Sequence, residues 1–159
     1  MMEDITIRLF GKDDQALVED FYNRMGFESR FFFNATGYNY QRTMRYFSEN
    51  PDEHILHWMA VLDGKMVGYV FARDTDKGIV SLGIAVSDEC KGQHLGERLI
   101  DTVKQWCREN GKGGILLTTH TANTRAQMLY LRCGFLHMGI SNNRGEYLFL
   151  YNFDKDAEI

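Results

Sequence analysis

The sequence predicts a single α/β domain over residues 1–159, built on a mixed β-sheet with helices on both faces. Three stretches carry this expectation. "HILHWMAVLDGKMVGYVFARD" holds two apolar runs joined at Asp63-Gly64, the strongest short-range hairpin signal, and so gives an antiparallel pair. "GIVSLGIAV" (Gly78 to Val86), the amphipathic run that follows and "GGILLTTH" form one β-α-β unit, which needs parallel neighbours and a right-handed crossover. "FLHMGI" and "GEYLFLYNF" read as two closing strands.

The remaining elements follow in chain order. "DITIRLF" (Asp4 to Phe10) alternates as a strand. "KDDQALVEDFYNRM" places Leu17, Val18, Phe21 and Met25 at helical spacing, with Asp13 as N-cap. An aromatic-rich stretch follows, and only its second half, Tyr40 to Asn50, reads as a helix, ending before Pro51. The crossover helix aligns Leu95, Leu99, Val103 and Trp106 on one face and stops at Gly111. "ANTRAQMLYLRCGF" is a short helix capped by Asn123 or Thr121 and ended by Gly134. The expected order is β-α-α-β-β-β-α-β-α-β-β.

Composition narrows the function. Hydrophobic residues are 44% and aromatics 13%, enough for a full core, and a single proline excludes a Pro-rich linker. A net charge of −4 and a pI near 5.7 argue against nucleic-acid binding and mildly favour cationic partners. No apolar run approaches the roughly 20 residues of a membrane span, so no membrane partner is expected. "MMEDITIRLF" carries acids near the start and no signal-peptide core, which implies a cytoplasmic location. Cys90, Cys107 and Cys133 form no C-x-x-C pair and the five histidines do not cluster. Neither a disulfide framework nor a metal site is expected.

The informative stretch is "GIAVSDECKGQHLGERLI", Gly83 to Ile100. A strand ends, a lysine-glycine turn follows and a helix begins. A helix N-terminus offers free N–H groups and a positive partial charge, which together hold anions such as phosphate. Gly92 and Gly96 relieve the backbone and Lys91 adds a cation. An ordinary strand-to-helix turn carries the same glycines. The Walker and Rossmann glycine patterns are both absent.

With the second helix included, the chain resembles the GCN5-related N-acetyltransferases. That family's first signature, a V-x-V-like strand end followed by [RQ]-x-x-G-x-[GA], aligns with Ile84-Ala85-Val86 and with Lys91, Gly92, Gln93, His94, Leu95 and Gly96. Its second, an N-x-x-A…Y…G-F helix, aligns with Asn123, Ala126, Tyr130, Gly134 and Phe135. Lys91 replaces the usual Arg or Gln, and His94 replaces the central glycine.

The resemblance implies a mixed, mostly antiparallel sheet with one splayed parallel strand pair. It implies acetyl-CoA as cosubstrate without a metal, its pyrophosphate on the amides of Gly92 to Glu97 and its pantetheine arm along the "GIVSLGIAV" strand. Gly83 in that strand reads as a bulge, a close approach or relief of crowding. The implied reaction is direct acyl transfer to a primary amine, with Tyr130 as general acid. The family's usual strand carboxylate is missing. His120 is one candidate base, and a water relay through Ser81 is another. Glu28, Tyr38 and Tyr40 are the candidates for the acceptor side. The acceptor is compatible with a polyamine, antibiotic, amino acid or protein amine, and the assembly with a monomer or homodimer. Two other readings use the same residues: a non-catalytic acyl-CoA-binding module, and a nucleotide-binding interaction module.

Overall fold

The structure, a computed structural model, describes residues 4–35, 39–141 and 145–156. Its strands are β1 (Thr6–Leu9), β2 (Ile55–Leu62), β3 (Lys65–Arg73), β4 (Ile79–Val86), β5 (Gly114–Thr119), β6 (Leu136–Ile140) and β7 (Tyr147–Asn152). They form one sheet in the order β1-β2-β3-β4-β5-β7-β6. Every neighbouring pair is antiparallel except β4 and β5. The β2–β3 hairpin closes at Leu62↔Lys65, with Asp63 and Gly64 at φ 51° and 75°, as an Asp-Gly turn requires.

The helices are α1 (Gln15–Asn23), α2 (Phe27–Ala35), α3 (Tyr40–Met44), α4 (Leu95–Glu109) and α5 (Thr124–Arg132). Alternation along the strands divides the core in two. Val80 and Leu82 face α4, packing with Leu95, Leu99, Val103, Ile115, Leu117 and Phe149. Tyr69 and Phe71 face the other way, against Val18, Phe21 and Met25. Gly111, at φ 66°, follows the end of α4, and Gly134, at φ 88°, follows α5.

Three local expectations are corrected. The residue before α1 is Asp14, not Asp13. The Asp14 carboxylate accepts from Gly11 N–H at 2.6 Å and from the Arg8 guanidinium at 2.7 and 2.9 Å, so it ties the loop to β1 instead of capping the helix. The aromatic stretch holds a helix, α2, that its periodicity hides, because three consecutive phenylalanines have no helical face. Contacts with α1 fix it: Arg30 lies over the Tyr22 ring at 4.8 Å and Asn34 Nδ2 donates to the Tyr22 hydroxyl at 2.9 Å. The helix read over Tyr40 to Asn50 is short. α3 ends at Met44 and passes into a 3₁₀ turn over Arg45–Phe47.

At Gly83 the strand carries no bulge. The β3–β4 register runs unbroken from Arg73↔Ser81 to Gly68↔Val86. A Cβ on Gly83 would lie 2.1 Å from two atoms of the Phe71 ring, so the glycine makes room for that ring.

Candidate active site

β4 and β5 pair only at Ile79↔Gly114, Val80↔Ile115 and Ser81↔Leu116. Beyond Ser81 the two strands part while β4 stays paired to β3 and β5 to β7. The gap is a cleft of about 510 Å³, walled by β4 from Ser81 to Val86, by β5 from Leu116 to Thr119, and by α2, α5 and the start of α4. A strand edge without a strand partner presents N–H and C=O groups that an extended, amide-bearing ligand can pair with.

The link from β4 to α4 begins with a 3₁₀ turn over Asp88–Cys90. Gly92 (φ 80°) and His94 (φ 65°) are both left-handed, and α4 starts at Leu95. The His94 side chain is 83% exposed, with Nδ1 3.4 Å from Glu97 Oε2. His94 thus takes the left-handed backbone that a glycine adopts easily, with its ring largely exposed to solvent at the cleft edge. Gly96 serves packing: a Cβ there would lie 2.8 Å from Leu129 Cδ2 of α5.

Lys91, Gly92, His94, Leu95, Gly96 and Glu97 line the cleft, as do Ile84, Ala85 and Val86. Gln93 turns away, its amide donating to Glu89 O at 3.1 Å. Lys91 Nζ donates to Ser29 Oγ at 2.8 Å and lies 3.1 Å from Asp88 Oδ1. Glu97 holds Arg132 at 3.0 Å.

Asn123, Ala126 and Tyr130 reach the cleft from α5. Asn123, not Thr121, is the cap, its Oδ1 accepting from Ala126 N–H at 3.2 Å. The Tyr130 ring packs on Phe135 and Phe149 at 6.0 and 5.6 Å. Burial holds its phenol well above the usual tyrosine range, so the hydroxyl keeps its proton at neutral pH. Burial likewise pushes the Cys133 thiol up to about 11, where a nucleophilic thiolate is scarce.

Ser81 lines the cleft at its closed end. His120 follows β5, outside the cleft lining, with its ring 5.2 Å from Phe31 and 5.7 Å from Phe32. Its Nδ1 accepts from Ala122 N–H at 3.0 Å, so the lone pair of the neutral ring is already engaged. Of the acceptor-side candidates, Glu28 lines the cleft. Tyr40 lies outside it, stacked on Tyr22 at 4.0 Å. Tyr38 lies outside the described residues.

Sequence reasoning missed Ser29 and Arg73, which also line the cleft, as does Phe32 of the aromatic stretch. The Asp63-Gly64 turn held the signal for Arg73. Hairpin register carries it to the β3 end, opposite Ile55, and the β3–β4 pairing sets it opposite Ser81, where β4 and β5 begin to part. Ser29 and Phe32 sit on the helix that periodicity hid. Among the described residues no group of three or more His, Cys, Asp or Glu is placed to hold a metal ion, and no helix is long and apolar enough to cross a membrane.

The chain belongs to the acetyltransferase (GNAT) family, whose model matches residues 18–135. It is 32% identical over 88 residues to the N-acetylaspartate synthetase of Homo sapiens, covering 54% of this chain and 29% of that protein. It is 32% identical over 93 residues to the streptothricin acetyltransferase of Escherichia coli, covering 58% of this chain and 53% of that one. The chain therefore spans at most about half the length of these curated relatives.

The GNAT domain of S. lividans PAT superposes with a TM-score of 0.79 at 15% identity, over 92% of this chain and 89% of that one. Aminoglycoside acetyltransferase AAC(6')-Ib, solved with coenzyme A, gives 0.72 at 18% identity, over 95% and 98%. At these identities the likeness is one of fold.

Proposed function

We propose that the protein is an acetyl-CoA-dependent N-acetyltransferase that acetylates a primary amine of a small molecule, protein or peptide by direct attack. The carrying observation is the gap between β4 and β5, which opens onto the N-terminus of α4. The residues present fit coenzyme A. The β4 edge from Leu82 to Val86 suits an amide-bearing pantetheine arm, and the first-turn amides of α4 suit a pyrophosphate, with Arg125 and Arg132 also lining the cleft. When bound, acetyl-CoA supplies an activated acetyl thioester.

The chain's own residues then do three things. Glu28, Phe32 and Arg73 bound the acceptor side of the cleft. A water relay through Ser81 and backbone carbonyls passes to bulk solvent the proton that the attacking amine must lose, since an ordinary lysine-like amine is almost wholly protonated at pH 7. The buried, protonated Tyr130 hydroxyl donates to the departing sulfur. His120 acts as base only if it releases Ala122 N–H. One observation favours the binding-module reading instead: β4 carries no carboxylate.

Thermal shift and turnover test the proposal. Coenzyme A at a hundredfold excess over Kd stabilises the fold by about 2.7 kcal/mol, while NAD and ATP do much less. An amine panel with acetyl-CoA then shows thiol release. No shift with millimolar coenzyme A overturns the proposal. A shift without turnover of any amine favours the binding module.

A further inference from the structure

Asp88 stands in the turn between β4 and the loop that precedes α4. Its carboxylate gathers donors from two distant parts of the chain. Gly26 N–H donates to Oδ2 at 3.2 Å and Ser29 Oγ to Oδ1 at 2.7 Å, both from the start of α2. Lys91 Nζ lies 3.1 Å from Oδ1 and also donates to Ser29 Oγ at 2.8 Å. These bonds hold the Asp88 carboxyl below the usual carboxylate range, the Ser29 hydroxyl most of all. The next residue adds a parallel tie: Arg24 at the end of α1 donates to Glu89 Oε1 at 3.0 Å.

The geometry at the other end of α2 gives these ties meaning. Phe31 and Phe32 meet the ring of His120, just past β5. α2 therefore spans the mouth of the gap, from the loop after β4 to the end of β5. Its inner side lines the cleft through Glu28 and Phe32. The loop expected to hold pyrophosphate and the wall expected to meet the acceptor are joined through one carboxylate.

We propose that Asp88 is a positioning residue that carries cofactor binding from the Lys91–Gly96 loop to α2, so that the acceptor wall is set when the cofactor is in place. The inference rests on the reading that this cleft binds coenzyme A. An anion held by the loop amides fixes Lys91 and the turn before it. Asp88 then fixes Gly26 and Ser29, and α2 loses its freedom to move. Ser29 is the second half of the link because it touches both Asp88 and Lys91.

Hydrogen exchange on the whole chain, with coenzyme A alone as the probe, tests this without a known acceptor. In the wild type, coenzyme A slows exchange of the amides of residues 91–99 and, by at least about fivefold, those of residues 27–35. In Asp88→Ala the 91–99 response remains and the 27–35 response is lost. Ser29→Ala removes only one half-buried hydroxyl and gives the same split, which covers any loss of folding in the first variant. A merely structural role for Asp88 changes exchange with and without ligand equally and leaves the ligand-induced difference intact. Protection of 91–99 without any change at 27–35 in the wild type overturns the inference, as does an undiminished 27–35 response in both variants. No protection at 91–99 overturns the cofactor reading itself.

Discussion

His57 Nδ1 lies 2.7 Å from the hydroxyl of Tyr69, buried in the core face that packs against α1. Phe10 stacks on the same imidazole at 4.9 Å. Burial pushes the His57 pKa from 6.5 down to about 4. Below pH 6.5 the unfolded chain takes up a proton that the folded chain refuses until about pH 4. The stability this neutral histidine contributes is complete above pH 6.5 and falls with pH, by up to about 3 kcal/mol at pH 4. Urea unfolding at pH 7 and pH 5 measures it. His57→Gln loses about 2 kcal/mol less between those two pH values than the wild type does. Equal losses place the acid sensitivity elsewhere.

His94 sits at φ 65° with a largely exposed ring. His94→Gly removes the cost of a Cβ in the left-handed region, about 1 kcal/mol. The variant is therefore at least as stable as the wild type and binds coenzyme A equally well or better. Calorimetric titration decides. A tenfold weaker Kd means that the imidazole contacts the phosphates, most strongly when cationic.

Tyr130→Phe keeps the ring between Phe135 and Phe149 and removes only the hydroxyl. Stability and coenzyme A affinity then change little. kcat at saturating acetyl-CoA falls at least about a hundredfold, the lower end of a general-acid contribution. A rate near wild type removes Tyr130 from the chemistry. The measurement uses an acceptor drawn from the amine panel.

Gly83→Ala drives a methyl group into the Phe71 ring. It costs about 1–3 kcal/mol in denaturant unfolding, the usual range for overpacking. Phe71→Leu in the same chain recovers part of the loss, because the two side chains face each other across the β3–β4 pair. Additive losses show that the ring has room to move aside.

The sheet was legible wherever local chemistry forced it. Asp63-Gly64 specified the hairpin, and the apolar run, amphipathic run and second apolar run specified the one parallel pair. The cofactor side was legible because its residues lie close in sequence, on one loop and one helix start. The acceptor side was not. α2 owes its form to Tyr22 of the preceding helix and to Asp88 and His120, the last two far from it in sequence. The family resemblance makes Tyr40 an acceptor-side candidate, yet a stacking partner from α1 claims its ring. Gly96 reads as a phosphate glycine in the motif, and only the tertiary contact shows that Leu129 requires its small size.

The brevity of the β4–β5 pairing has a mechanical consequence. Ser81↔Leu116 ends a seam only three residue pairs long, flanked by a four-strand plate, β1 to β4, and a three-strand plate, β5, β7 and β6. Twisting one plate against the other about that seam changes the gap width while every antiparallel ladder stays intact. Seam pairs are therefore a place to tune the aperture from a distance. A substitution at Val80 or Ile115, both fully buried and outside the cleft lining, alters how far the plates separate and so how bulky a guest they admit.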